Sequence, residues 1–246
     1  METKVCLVVG AGEGAGSGIA RTFAKAGFDV CLSRRPRNIA RLEEQVAAIR
    51  ATGGKAHAYP CDAREEDDMI EMFRRIEAEI GPIEVVVFNI GANVRFSAVE
   101  TTARVFRKVW EMACFAGFLT GREAAKVMIP RGRGTIIFTG ATASVRGSPM
   151  RMAFASAKHG LRAISRSLAR ELGPQGIHVA HVIIDGGIEG VFASQNRPDY
   201  AERLARDAVL RTDDIGRFYL ELHNQPRSTW IYETDLRPWE EKWEWS

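Results

Sequence analysis

No apolar run in the chain approaches the roughly 18 consecutive residues that a bilayer crossing needs, so nothing in it reads as a membrane span. No run of five lysines or arginines occurs and the formal net charge is only +3, which speaks against a nucleic-acid-binding surface. The four cysteines, Cys6, Cys31, Cys61 and Cys114, form no CxxC pair. Three of them sit in short apolar runs and are expected to be buried, reduced thiols of a cytoplasmic protein. No basic segment followed by a cleavable apolar stretch precedes Val5, so no secretory leader is expected. Low-complexity linkers and blocks of like charge are missing too, and nothing divides the 246 residues into separate domains. Apolar residues make up 46% of the chain, enough for a full core without disulfides or a structural metal.

What the chain does have is a regular alternation of two periodicities. Short β-branched runs at 5–9, 28–33, 55–60 and 83–88 read as strands. Between them, 19–26, 41–51 and 65–80 carry apolar residues at helical spacing and stop at glycine or Gly-Pro. The second half repeats the rhythm, with a long helix over 102–128, a strand at 134–139, a helix over 153–172 and a strand at 177–184. A charged helical stretch is expected over 198–209, followed by a polar, aromatic tail from about 217 to 246. Such β-α-β alternation predicts a single-domain α/β Rossmann fold, a doubly wound parallel sheet with helices on both faces.

The first strand runs into Gly10-Ala11-Gly12-Glu13-Gly14-Ala15-Gly16-Ser17-Gly18, which opens the first helix. Glycines let the backbone turn tightly and come close to a pyrophosphate, while the helix N-terminus offers free N–H groups to it. The spacing resembles the TGxxxGxG turn of the short-chain dehydrogenase/reductase family. Two registers fit, Gly10/Gly14/Gly16 and Gly12/Gly16/Gly18, and the trailing Ile19-Ala20…Phe23-Ala24 selects the first, with Val9 in the threonine position. The resemblance extends over roughly residues 4–190: Asp62-Ala63 is similar to the family's adenine-binding aspartate segment, Asn89-Ile90-Gly91-Ala92 to its NNAG motif, and Lys158 to the lysine of YxxxK.

Members that use NAD usually carry a carboxylate after the second strand. Here that place holds Ser33-Arg34-Arg35, whose guanidiniums suit a 2′-phosphate. The resemblance therefore implies NADP(H) in preference to NAD(H), held by Gly10, Gly14, Ala15, Gly16, Ser33, Arg34, Arg35, Asp62, Ala63, Asn89, Gly91 and Lys158.

It also implies an Asn, Ser, Tyr and Lys set for proton transfer, and the chain departs from it. Phe154 stands at the tyrosine position, Ala141 thirteen residues earlier at the serine position, and Cys114 at the asparagine position; only Lys158 is kept. Thr142 and Asp185, each just past a strand, are the candidate substitutes, with water as a further proton source. Arg95 and Arg146 are candidates for an anionic substrate. His159 is expected to face away, because Phe154 and Lys158 share the other helix face, and His181 to be a buried strand histidine. The expected activity is that of an atypical oxidoreductase on a small carbonyl or alcohol; the alternative is a non-catalytic NADP(H)-binding sensor or scaffold. No metal and no nucleic-acid partner are expected. The resemblance suggests a homotetramer or dimer paired through the helices over 102–128 and 153–172. Trp230, Trp239, Trp243 and Trp245 in the tail are expected to pack on this domain, to fold over the cleft or to reach a neighbouring copy.

Overall fold

The computed structural model describes residues 3–241. Seven parallel strands form one sheet in the order β3-β2-β1-β4-β5-β6-β7. They are β1 (Val5–Val9), β2 (Asp29–Ser33), β3 (Lys55–Ala58), β4 (Ile83–Phe88), β5 (Gly134–Thr139), β6 (Ile177–Ile184) and β7 (Glu233–Leu236). The alternation along β1 shows why the central strands read as unbroken apolar runs. Val5, Leu7 and Val9 enter the core on one face, Cys6 and Val8 the core on the other, and all are buried.

The first face is covered by α3 (Glu66–Glu79), α5 (Ala116–Met128) and α6 (Met152–Leu172), through Met69, Phe73, Leu119 and Leu161. The second is covered by α1 (Ala15–Lys25), α2 (Ile39–Ala51) and α9 (Thr212–His223), through Ile19, Phe23, Leu42 and Tyr219. These are the two helical layers that the alternation predicts. All four cysteines are buried and unpaired. Among the described residues no helix is long and apolar enough to cross a membrane.

Three expectations need correction. The helix expected over 102–128 is interrupted: α4 (Ala103–Trp110) passes through a π-helical turn, Glu111–Phe115, into α5. Thr102 caps its start by accepting from Val105 N–H at 3.2 Å. The stretch expected to be helical over 198–209 contributes only α8 (Tyr200–Ala205), preceded by α7 (Val191–Asn196).

The expected tail is for the most part folded structure. Its first residues belong to α9, which lies so close on α1 that a Cβ at Gly18 would fall 2.0 Å from Thr212 O and one at Gly216 2.6 Å from Gly18 O. Then β7 adds to the sheet edge, pairing His181 with Glu233 and Ile184 with Leu236. Its acidic residues disguise it as a polar strand because arginines neutralise them: Glu233 takes Arg162, and Asp235 takes Arg237. Trp230 packs on its own domain, stacked on His178 at 4.9 Å. Trp239 is exposed, with its indole N–H donating to Arg206 O. Trp243 and Trp245 lie outside the described residues.

Candidate active site

Strand order reverses between β1 and β4, and the loops leaving the carboxyl ends of the strands there enclose a cleft of about 1270 Å³. Its floor is the glycine turn. Gly10 has φ +90°, and a Cβ on it would lie 2.9 Å from the Asn89 carbonyl oxygen. A Cβ on Gly16 would lie 2.9 Å from Gly10 O. Asn89 fastens the pair by donating from Nδ2 to Gly10 O at 3.1 Å.

Gly14 instead faces open space, with Ile188 Cγ2 at 3.8 Å as the nearest atom to its added Cβ. Gly14 is also the N-cap of α1, has no side-chain cap, and is followed by Ala15 in a first turn without acidic residues. Free amides and a positive helix end therefore meet the cleft where Gly14 leaves room. Gly10 and Gly14 line the cleft with Gly12, Gly16 packs behind Gly10, and Gly18 serves the α1–α9 crossing.

Ser33, Arg34 and Arg35 line the cleft past β2, and Asp62 and Ala63 line it past β3. Arg34 Nη1 is buried without a hydrogen-bond partner among the described residues. Burial and the neighbouring Arg37 charge press the Arg35 guanidinium below its usual range. An incoming anion would relieve both. Asp62 is held by Arg64 in a two-pronged pair at 2.9 and 2.5 Å, and that bonding keeps its carboxyl below the usual range. The Asp-Ala-Arg spacing is the signal that would have revealed Arg64.

Lys158 and Phe154 sit one turn apart on α6, with Lys158 Nζ 6.0 Å from the centre of the Phe154 ring. The ammonium is buried and donates to Thr139 O at 2.9 Å and Ile90 O at 3.1 Å. Burial lowers its pKa to about 8. Ala141 and Thr142 follow β5 and line the same cleft, as does Asp185 at the end of β6.

Thr142 Oγ1 donates to Asp185 Oδ1 at 2.5 Å, and Arg237 holds Asp185 Oδ2 at 2.9 Å with both side chains almost wholly buried. Arg237 escapes sequence inspection because only the β6–β7 pairing carries it there. Cys114 is not brought into the cleft wall. It lies on the π-turn, packed where a Cβ on Gly160 would meet its Sγ at 2.6 Å, and burial raises its thiol pKa.

His159 points outward and engages Ala155 O at 2.9 Å, as its helix position predicts. His181 is buried and engages Glu233 through Nδ1 at 3.0 Å. Arg95 and Arg146 line the cleft, joined by Arg151 and Arg197, which no motif in the sequence marks. Taken together, the cleft has open space at Gly14 beside the first turn of α1, an Arg34 nitrogen without a partner among the described residues, and a buried lysine in the same wall as a threonine–carboxylate pair. These residues fit a nicotinamide dinucleotide, whose phosphates the glycine turn and Arg34 would hold.

Known proteins agree with this construction. A profile of short chain dehydrogenases matches residues 4–201. A short-chain dehydrogenase/reductase of Armillaria gallica is 35% identical over 177 residues, 72% of this chain and 68% of that protein. The crystal structure of a short-chain dehydrogenase from Rhodopseudomonas palustris is 45% identical, with a TM-score of 0.82, and the match covers 96% of this chain and 99% of the other. A metagenomic short-chain oxidoreductase, solved in complex with NADP, is 26% identical with a TM-score of 0.81, covering 96% and 97%. A parallel sheet in this strand order, a glycine cradle at its switch point, and a profile match and relatives of this extent have one meaning: the chain belongs to the short-chain dehydrogenase/reductase family.

Proposed function

We propose that the protein is an NADP(H)-dependent oxidoreductase of a small alcohol or carbonyl compound in which Thr142 and Asp185 take over the proton transfer of the missing tyrosine. The observation that carries this reading is the 2.5 Å bond from Thr142 to Asp185, set in the same cleft as Lys158 while Phe154 offers no proton. When bound, a nicotinamide cofactor takes or gives the hydride. The protein's own groups do the rest. Arg34 and Arg35 would hold the 2′-phosphate and Gly14 and Ala15 the pyrophosphate, while Asp62, Ala63, Asn89 and Gly91 line the rest of the same cleft.

In alcohol oxidation the substrate hydroxyl proton passes to Thr142 Oγ1 as the threonine gives its own to the Asp185 carboxylate. Reduction runs the same transfers backward. Lys158 fixes the neighbouring backbone through Thr139 O and Ile90 O and places a positive charge beside the reacting oxygen. Support for NADP(H) comes from Arg34 and Arg35 and from the metagenomic relative solved with NADP.

The test is oxidation of NADPH by the native protein over a broad panel of ketones and aldehydes. Turnover that is lost in Thr142→Val sustains the proposal. Silence from the native protein, with turnover gained in Phe154→Tyr combined with Ala141→Ser, would establish the second reading, a non-catalytic NADP(H)-binding sensor or scaffold. That reading draws on the Phe154 ring at the tyrosine position.

A homo-oligomer is part of the same proposal. Trp110 on α4 stacks on Phe115 of the π-turn, which meets Phe118 on α5 at a tilt, with Trp110 and Phe118 about 40% exposed, on the helices expected to pair. Four buried free thiols suit a reducing, cytoplasmic setting.

A further inference from the structure

Five carboxylates line the cleft, and each already has a cation: Glu13 has Arg41, Asp62 has Arg64, Asp185 has Arg237, Glu189 has Arg211 and Glu241 has Arg203. On the side formed by the loops after β4 to β6, Arg95, Arg151 and Arg197 have no such partner among the described residues. Arg95 and Arg151 stand on two loops tied together by Phe96 N–H donating to Met150 O at 3.0 Å. Met150 takes φ +63°, a conformation that non-glycine residues seldom adopt, and so turns the chain into Arg151.

Arg151 is the N-cap of the 21-residue helix α6, whose first turn has no side-chain cap and no acidic residue. The positive helix end and the two guanidiniums therefore act in the same direction. Burial and the adjacent Arg95 charge push Arg151 below its usual range. Arg197, past β6 in the same cleft, packs on Gly187, where an added Cβ would lie 3.2 Å from Nη1, and that nitrogen is buried without a partner among the described residues. Phe154, Met112 and Phe192 supply apolar wall in the same cleft.

Arg151 and Arg197 are half-buried and Arg95 is exposed beside them; a half-buried guanidinium without a counter-ion is costly, and a ligand anion would remove that cost. We infer that the substrate carries a carboxylate, gripped by Arg95, Arg151 and Arg197, joined through an apolar body to the carbonyl or carbinol carbon presented to Thr142. This rests on the oxidoreductase reading for its reacting carbon, while the anion site itself does not.

The probe is 3-benzoylpropionate, an aryl ketone with a carboxylate, compared with its methyl ester by calorimetry on protein with and without saturating NADPH. The acid is expected to bind at least tenfold more tightly than the ester. Arg95→Gln, Arg151→Gln and Arg197→Gln should each cut that preference several-fold, and Arg34→Gln, in the phosphate pocket, should leave it intact. Equal binding of acid and ester, no binding of the acid, or a preference that survives all three substitutions overturns the inference. If the preference and its dependence on Arg151 hold but no bound ketone oxidises NADPH, the anion site stands and the oxidoreductase reading falls.

Discussion

The hydroxyl of Thr142 donates to one oxygen of Asp185 at 2.5 Å while Arg237 grips the other at 2.9 Å. With its proton committed to the carboxylate, the threonine oxygen has only lone pairs left for the cleft. In the proposed mechanism that oxygen accepts the substrate's hydroxyl proton. Thr142→Val keeps the shape of the side chain and removes this path. It is expected to lower kcat by about 10²–10³ with little change in KM, within the range of a lost proton-transfer group. Steady-state kinetics on the best substrate of the panel check this. A variant within threefold of the native kcat removes Thr142 from the chemistry.

Arg34 offers the clearest test of cofactor choice, because one of its nitrogens is buried and lacks a partner. A hydrogen bond to a charged group contributes about 1.5–3 kcal/mol. Arg34→Gln should therefore weaken NADPH binding by roughly 10- to 150-fold and leave NADH binding nearly unchanged. Fluorescence titration of the two cofactors in parallel gives both numbers. Equal losses for NADPH and NADH would show that Arg34 does not see the 2′-phosphate.

Most of the fold was legible because the central strands are buried on both faces and the helices are amphipathic. Those patterns arise from local periodicity, which a single sequence carries. The buried face of the first helix was legible as well, since Ile19 and Phe23 recur at helical spacing, and the close approaches of Gly10 and Gly16 to backbone atoms give the reason those two positions are glycine. The end of the chain was not. In β7 the side-chain pattern is Glu-Thr-Asp-Leu, and its acids are neutralised by Arg162, which the fold brings to Glu233 from 71 residues away, and by Arg237, two residues beyond Asp235. Cys114 was placed by its distance from other motifs, but the π-turn around it puts Met112 and not Cys114 on the cleft wall. Asp185 was found from its place after β6; the arginine that holds it was invisible for the same reason as β7.

Lys158 makes stability depend on pH in an unusual direction. Burial lowers its pKa to about 8 in the folded protein, whereas an unfolded lysine titrates near 10.4. Between these values the unfolded chain holds a proton that the native one has released, so stability rises with pH from about 8 to about 10.4. Below pH 8 both states are charged and the full cost of burying the ammonium is present. Relative to Lys158→Met, the native protein without cofactor should gain stability across this window, with a slope of at most about 1.4 kcal/mol per pH unit. Urea midpoints for both proteins from pH 7 to 10 test it, and parallel curves would refute it.

On the acid side two histidines contribute. His181, wholly buried at the β6–β7 seam, has its pKa lowered to about 4, chiefly by burial and despite Glu233. His223, at the end of α9, has its pKa lowered to about 4 by burial and by Lys4, and its ring rests edge-on against Phe28 at 5.5 Å. Unfolded, both titrate near 6.5. As pH falls from 6.5 to 4 the unfolded chain therefore takes up protons that the native chain refuses, and stability is lost through that window. His223 is only partly buried and contributes the smaller share. His223→Phe keeps an apolar ring beside Phe23 and Phe28 while giving up the 2.9 Å contact with Thr135. It should lower stability at pH 7 and flatten the slope between pH 6.5 and 4. Unfolding midpoints measured along that range decide the matter, and an unchanged slope would show that the histidine at the α9 terminus takes up its proton as readily in the native protein as in the unfolded chain.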